Sequence, residues 1–188
     1  MYKIMQRPKS DAFAIDMICL DDEEDPVWDE VDRLLYLCED VPYTEVPLRR
    51  LSHDLKKTLG DFLYSPPLLT VNEKAKKVLI DAGVAAHYFP FQMNSKKNQV
   101  LPYFFVDFSI KKHFLDLENS IYVRANNLSR NINEVLKVVV DELADYGPMV
   151  RCIDSELIFV KDSLVQRFKE EGITGVEFCP INEFSGRP

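Results

Sequence analysis

The residues of this chain that could do chemistry are three histidines, four cysteines and many carboxylates. His53 is followed by Asp54, a dipeptide met in metal-dependent phosphohydrolase sites, but no other His or Asp stands where it would complete such a centre. His87 lies in "AAHYFPF" and His113 in "KKHFL", and neither is at metal-ligand spacing from a second ligand. Cys19, Cys38, Cys152 and Cys179 are scattered among apolar neighbours, which suits reduced, buried small hydrophobes better than ligands or a disulfide framework. Asp107 interrupts the apolar run "LPYFFVDFSI". It could build a site with His87 or His113, or hold a structural or edge position.

No glycine-rich phosphate loop and no Gly-x-Ser-x-Gly elbow occur. Together these patterns point away from an enzyme. No catalytic residue, cofactor or metal site is assigned, and a small enzyme or ligand-binding domain around Asp107, His87 and His113 is the alternative.

The carboxylates are distributed unevenly. From Asp11 to Pro47 there are 13 acidic residues and one basic residue, Arg33, for a net charge of −12. The rest of the chain has 22 basic and 18 acidic residues, a net of +4, within a total of −8. An acidic face repels phosphates and so argues against nucleic-acid binding. It steers basic partners instead, although a solvated face kept for solubility would have the same composition.

The acidic segment includes a helix expectation. Asp25 can cap a helix that opens at Pro26, and Val27, Val31, Leu34, Leu35 and Cys38 recur at helical spacing. Asp29, Glu30 and Asp32 extend the acidic patch along its first turns, with Trp28 beside the apolar stripe as a core residue or an interface anchor.

Elsewhere, "YKIM" and "FAIDMICL" read as strands. Leu48, Leu51, Leu55 and Leu59 suggest a helix opened by Pro47 and closed by Gly60, with Arg49, Arg50, Lys56 and Lys57 on its polar face. "PLLTV" is a strand, Asn72 an N-cap, Ala75, Val78, Leu79 and Ala82 one helix face, and Gly83 a left-handed stop. "AAHYFPF" is then a strand ended by Pro90, with His87 on the same face as Phe89 and Phe91.

"LPYFFVDFSI" suits a central strand covered on both faces. Residues 132–146 are ambiguous, and the β-branched cluster Val138, Val139 and Val140 favours strand. "MVRCI" and "ELIFV" form a hairpin, followed by a helix with Leu164 and Phe168 inward, Gly172 as its stop, and a last strand "GVEFCPI". The order predicts an α+β fold: a mixed, mainly antiparallel sheet with a few packed helices and two β-α-β-like segments.

With 188 residues, 46% hydrophobic and 29% charged, the chain is long enough to bury a core without staples. No stretch approaches a membrane span, and "MYKIMQRPKSDAF" lacks the apolar core of a signal peptide. The expectation is a soluble, cytoplasmic, full-length protein of one domain, residues 1–188.

Two segments follow one plan. Aligned without a gap, Leu68 meets Leu157, Val71 meets Val160, Gly83 meets Gly172 and Phe89 meets Phe178. The identities are too few to establish a duplication, since strand, capped helix, glycine stop and strand is a common order.

The second segment has a further feature, the ending Gly172-Ile173-Thr174-Gly175-Val176-Glu177-Phe178-Cys179-Pro180. A strand, an amphipathic helix and Gly-x-Thr-Gly-x-x-Phe-x-Pro resembles the C-terminal signature of a bacterial family of polymorphic-toxin immunity proteins, formerly a domain of unknown function. "DFLYSPPLLTVNEKAKKVL" and "LDLENSIY" are similar to further patterns of that family, so the resemblance spans about residues 61–181. Where family members often have Ser after the strand, this chain has Lys161-Asp162, so the usual helix cap is shifted or replaced.

The resemblance divides the chain into an acidic, variable part (1–60) and a family-like core (61–188). It implies a protein that binds and neutralises a cognate toxin, and it supplies no catalytic residue. The charge pattern then nominates Asp21, Asp22, Glu23, Glu24, Asp25, Asp29 and Glu30 as contacts to a basic toxin domain, with Trp28 as an anchor.

Overall fold

In the computed structural model the described residues are 1–10, 18–19, 50–52, 56–65, 68–94, 100–109, 111–113, 115–124, 132–140, 146–153, 155 and 157–184. The first strands in chain order are β1 (Tyr2–Gln6), β2 (Ile18–Cys19), β3 (Arg50–Ser52), β4 (Phe62–Ser65) and β5 (Leu68–Asn72). Helix α1 (Glu73–Asp81) leads to β6 (Ala86–Asn94), β7 (Val100–Phe108), β8 (Lys111–Lys112), β9 (Ile121–Arg124) and β10 (Ile132–Lys137). The chain continues with β11 (Met149–Cys152), β12 (Ile158–Lys161), helix α2 (Asp162–Glu170), β13 (Glu177–Pro180) and a 3-10 turn, Ile181–Glu183.

The fold is α+β, with mainly antiparallel pairing. Its strands form a six-stranded sheet in the order β2-β3-β6-β7-β5-β4, a five-stranded sheet in the order β13-β1-β12-β11-β8, and a ribbon β10-β9. Only β3 with β6 and β8 with β11 pair in parallel among the described strands.

One core joins the two large sheets. It combines Phe62, Tyr64, Leu69, Val71, Phe104, Val106 and Phe108 of the larger sheet with Met5, Met149, Ile158 and Val160 of the smaller. Both helices contribute to it, through Ala75, Val78 and Leu79 of α1 and Leu164, Val165 and Phe168 of α2. The other face of each sheet is buried as well. Leu63, Phe91, Met93, Tyr103 and Phe105 cluster on the larger sheet, and Ile4, Val150, Cys152, Leu157 and Phe159 on the smaller. Burial on both faces is why β7 reads as an unbroken apolar run rather than an alternating one.

The two similar segments adopt the same local design. α1 and α2 each have nine residues, and each ends at a glycine with left-handed backbone, Gly83 at φ 74° and Gly172 at φ 60°. Both stops close with paired bonds: Gly83 N to Ile80 O and Val84 N to Leu79 O in the first, Gly172 N to Lys169 O and Ile173 N to Phe168 O in the second.

The match extends to topology. β5 and β6 flank β7, and β12 and β13 flank β1, all antiparallel to the strand between them. β4 pairs outside β5 as β11 pairs outside β12. Each half is therefore a split β-α-β unit with an outer strand. In the first the middle strand follows β6 along the chain, and in the second it comes from the N-terminal end.

Register makes the repeat specific. Tyr103 stands opposite Asn72 and donates its hydroxyl to Gly60 O at 2.7 Å; Tyr2 stands opposite Lys161 and donates to Gly147 O at 2.7 Å. Asn72 N donates to Asp61 O at 2.9 Å, and Lys161 N to Pro148 O at 2.9 Å. Even the prolines agree, Pro90 facing Phe104 in one half and Pro180 facing Lys3 in the other.

Two sequence expectations need correction. Residues 50–52 are strand, paired with β2 and with Gln92 and Met93 of β6, so the leucine spacing around them does not mark a helix from Pro47 to Gly60. Sheet pairing satisfies this backbone and overrides a weak helical pattern. Buried Gly60 lies against Gly175 rather than capping a helix, and Arg50 shares no helix face with Lys56 and Lys57.

Nor does Pro90 end its strand, since β6 runs on to Asn94. Pro90 lies where β6 pairs with β7 alone among the described residues, β3 joining from Gln92, and a missing N–H is tolerated at such a place. The helix expected from Pro26 lies outside the described residues, as does most of "FAIDMICL". Residues 132–137 are strand, as β10, but it stops before the cluster Val138, Val139 and Val140 that suggested it. Val140 makes a bridge to Leu115, and residues 141–145 lie outside the described residues.

The Gly-Ile-Thr-Gly segment docks one half onto the other. Asp61 Oδ2 accepts from Thr174 N and Oγ1, both at 2.9 Å, while Oδ1 accepts from Asn72 Nδ2 at 2.8 Å. Phe62 N donates to Thr174 O at 3.0 Å. The backbones touch here. A Cβ on Gly175, whose φ is 86°, would fall 2.1 Å from Phe62 O, and one on Gly60 would fall 2.6 Å from Gly175 Cα.

Removing Asp61 strips several bonds from a nearly buried carboxylate, so Asp61→Ala should cost about 3 kcal/mol. Thr174→Val should cost ~1–2 kcal/mol. Gly175→Ala should be the worst, at about 4 kcal/mol or more, because clash and left-handed strain add. Urea unfolding of the three variants measures the order, and a fully stable Gly175→Ala protein would contradict the close packing.

Candidate functional site

The acidic residues chosen from sequence, Asp21, Asp22, Glu23, Glu24, Asp25, Asp29 and Glu30, lie outside the described residues together with Trp28. The alternative set is described, and the structure brings two of its three members together. His87 of β6 faces Asp107 of β7 in the antiparallel register, so both lie on one face of the larger sheet. Asp107 is buried in the central strand, and His87 is exposed beyond the aromatic cluster on that face. His113 follows β8 in the other sheet and is exposed. A carboxylate facing an exposed imidazole can orient the ring. Among the described residues no group of three or more His, Cys, Asp or Glu side chains could hold a metal ion.

The three segments that carry the family resemblance have structural duties here. Asp61, at the start of "DFLYSPPLLTVNEKAKKVL", and Thr174 of the terminal motif form the contact between halves. In "LDLENSIY", Asp116 closes a turn, accepting from Glu118 N and Asn119 N at 3.1 Å and from Asn119 Nδ2 at 2.6 Å. The Asn119 side chain, then its backbone amide, hold the Asp116 carboxyl below the usual carboxylate range. Lys161 caps α2 with no side-chain bond, unlike Asn72, whose oxygen accepts from Ala75 N at 3.0 Å. Asp162 N is bonded instead to Met1 O at 3.0 Å.

The perturbed groups are poor reagents. Burial pushes the Tyr88 phenol up to about 12. Burial, then the Asp61 carboxylate, push Tyr103 higher still. Burial and, secondarily, Glu183 raise the Cys179 thiol, against a smaller opposing pull from Lys9, so thiolate chemistry is disfavoured there.

Two features escaped sequence reasoning. Asp61 carries no signal beyond its place between Gly60 and a strand, and its partner Thr174 is distant in the chain. The second is a cavity of about 320 Å³ lined by Ala82, Pro148, Lys161, Ser163, Leu164 and Arg167. Aligning Gly60-Asp61 with Gly147-Pro148 could have pointed to it. Compared with known proteins, the chain matches no family model and no curated sequence.

A phenol whose folded pKa is raised stabilises the fold fully below its unfolded value of 10.0, and that contribution fades as pH climbs from there through about 12. Phenolate absorbance after a rapid pH jump should show a late component that Tyr88→Phe reduces and that Tyr88→Phe with Tyr103→Phe reduces further. Ionisation of all eight tyrosines near their ordinary value, before unfolding, would contradict the burial.

Proposed function

We infer that this chain is a binding protein, not an enzyme, and that it neutralises a basic bacterial toxin domain by direct contact in the cytoplasm. The observation that carries this reading is the charge division, −12 between Asp11 and Pro47 against +4 for the remainder. A concentrated acidic surface accelerates encounter with a basic substrate cleft and can occupy it. The resemblance of residues 61–181 to immunity proteins supplies the class of partner. The described polar networks also support it, because Asp61, Asn72, Thr174, Asp116 and Asn119 are all bonded within the fold. No helix among the described residues is long and apolar enough to cross a membrane.

A second reading has one observation in its favour, the facing of His87 and Asp107. It makes this end of β6 and β7 a ligand or reaction site. Saturable ligand binding or turnover lost in both His87→Ala and Asp107→Asn, with stability retained in the former, would establish it.

The test of the main reading is co-expression with the product of an adjacent upstream gene encoding a secreted protein with a variable C-terminal domain. The chain should restore growth. Changing Asp21, Asp22, Asp29 and Glu30 together to Lys should lower the association rate about tenfold or more at low salt and weaken protection. Trp28→Ala should instead speed dissociation, by about 2 kcal/mol if it anchors the interface. Unchanged rates and protection would place the toxin-facing surface elsewhere.

A further inference from the structure

We propose that the cavity beside the first turn of α2 is a carboxylate-binding site. The internal repeat identifies the ligand chemistry. At one end of the helix pair, a carboxylate of the chain itself, Asp61, is held by Asn72, by Thr174 and at 3.7 Å by Lys74 Nζ. Matched backbone bonds set the equivalences: Asn72 N to Asp61 O, and Lys161 N to Pro148 O. Pro148 thus stands for Asp61, Lys161 for Asn72, Ser163 for Lys74 and Leu164 for Ala75. Pro148, Lys161, Ser163 and Leu164 all line the cavity. Where one half carries its own carboxylate, the other has a proline and room for an incoming one.

The surroundings suit an anion. The first amides of a helix lack intrahelical partners and form its positive end. In α2, Asp162 N is taken by Met1 O and no side chain caps the helix, and Ser163 and Leu164, the next residues of the first turn, line the cavity. Lys161 and Arg167 add positive charge, and Ser163 a hydroxyl.

Two carboxylates lie close by. Asp162 pairs with Lys3 at 3.5 Å, and Asp81 meets Arg167 at 3.5 Å, a loose contact from the side of α1. An incoming carboxylate would share Arg167 with Asp81. Ala82, Pro148 and Leu164 give the site an apolar wall, fitting a short-chain mono- or dicarboxylate. The proposal is independent of the toxin reading.

The test follows amide shifts of the full chain during titration with acetate, succinate or inorganic phosphate, each against chloride at equal ionic strength. Acetate or succinate should shift Ser163 and Leu164 saturably in the millimolar range. Arg167→Gln should weaken the binding about tenfold, the loss of one charge-assisted bond. Pro148→Asp should abolish binding and raise Tm, by supplying the carboxylate from within. Should Pro148→Asp not fold, Arg167→Gln alone decides. No saturable carboxylate response, a response to phosphate only, a response shared with chloride, or one indifferent to Arg167→Gln overturns the proposal.

Discussion

The contact between Asp61 and Thr174 is where the two halves of this protein become one. Asp61 begins the first β-β-α-β unit, and Thr174 lies between the helix and the last strand of the second. The carboxylate accepts two bonds from Thr174 and one from Asn72, which also caps α1, so interface and helix start are fixed by one side chain. Such bonds to an ionised acceptor are stronger than neutral ones, and little water reaches this carboxyl group. The approach is possible only because Gly60 and Gly175 have no side chains. Behind it, Phe62 meets Phe168 edge-on at 5.4 Å, and Phe168 stacks on Phe178 at 5.7 Å, so polar contact and shared core are continuous.

The repeat imposes a second constraint. In the first unit the middle strand β7 pairs with the β6 that precedes it, a local hairpin. In the second the equivalent strand is β1, which must dock between β12 and β13 from the far end of the chain. Long-range pairing of this kind forms slowly, because loop closure precedes its reward. Ile4 and Met5, both almost fully buried on opposite faces, make that docking worthwhile. The second unit is therefore complete only when both ends of the sequence have come together.

What could be read from the sequence was local. Asn72 as a cap, Gly83 and Gly172 as left-handed stops, the buried β7 and the hairpin of β11 with β12 depend on residues within a few positions, and the structure contains them all. Failures came where a distant strand decided the outcome. Arg50–Ser52 is strand because β6 lies alongside, and Pro90 sits inside a strand because β7 pairs along the whole of β6. Four identities understate a structural repeat preserved in register, in the tyrosine-to-glycine bonds and in strand order. Of the alternative site, the shared face of His87 with Phe89 and Phe91 followed from strand alternation, but the facing Asp107 needed the pairing of β6 with β7.

The repeat is most informative where it breaks. Two units with matched strands, helices and glycine stops need equal solutions at their helix starts, yet only one has an Asn cap and an Asp partner. At the other start, Lys161 and Pro148 supply no side-chain acceptor, Met1 O takes the Asp162 amide, and the cavity opens beside it. A fold that used one device at both ends would set an Asp61-like carboxylate beside each, whereas α2 has only Asp162 within its own first turn. Departure at one end alone, with the surrounding framework intact, separates the demands of stability from those of recognition. It marks Pro148, Lys161 and Ser163, unlike the buried Leu164 beside them, as positions whose side chains the repeat does not dictate.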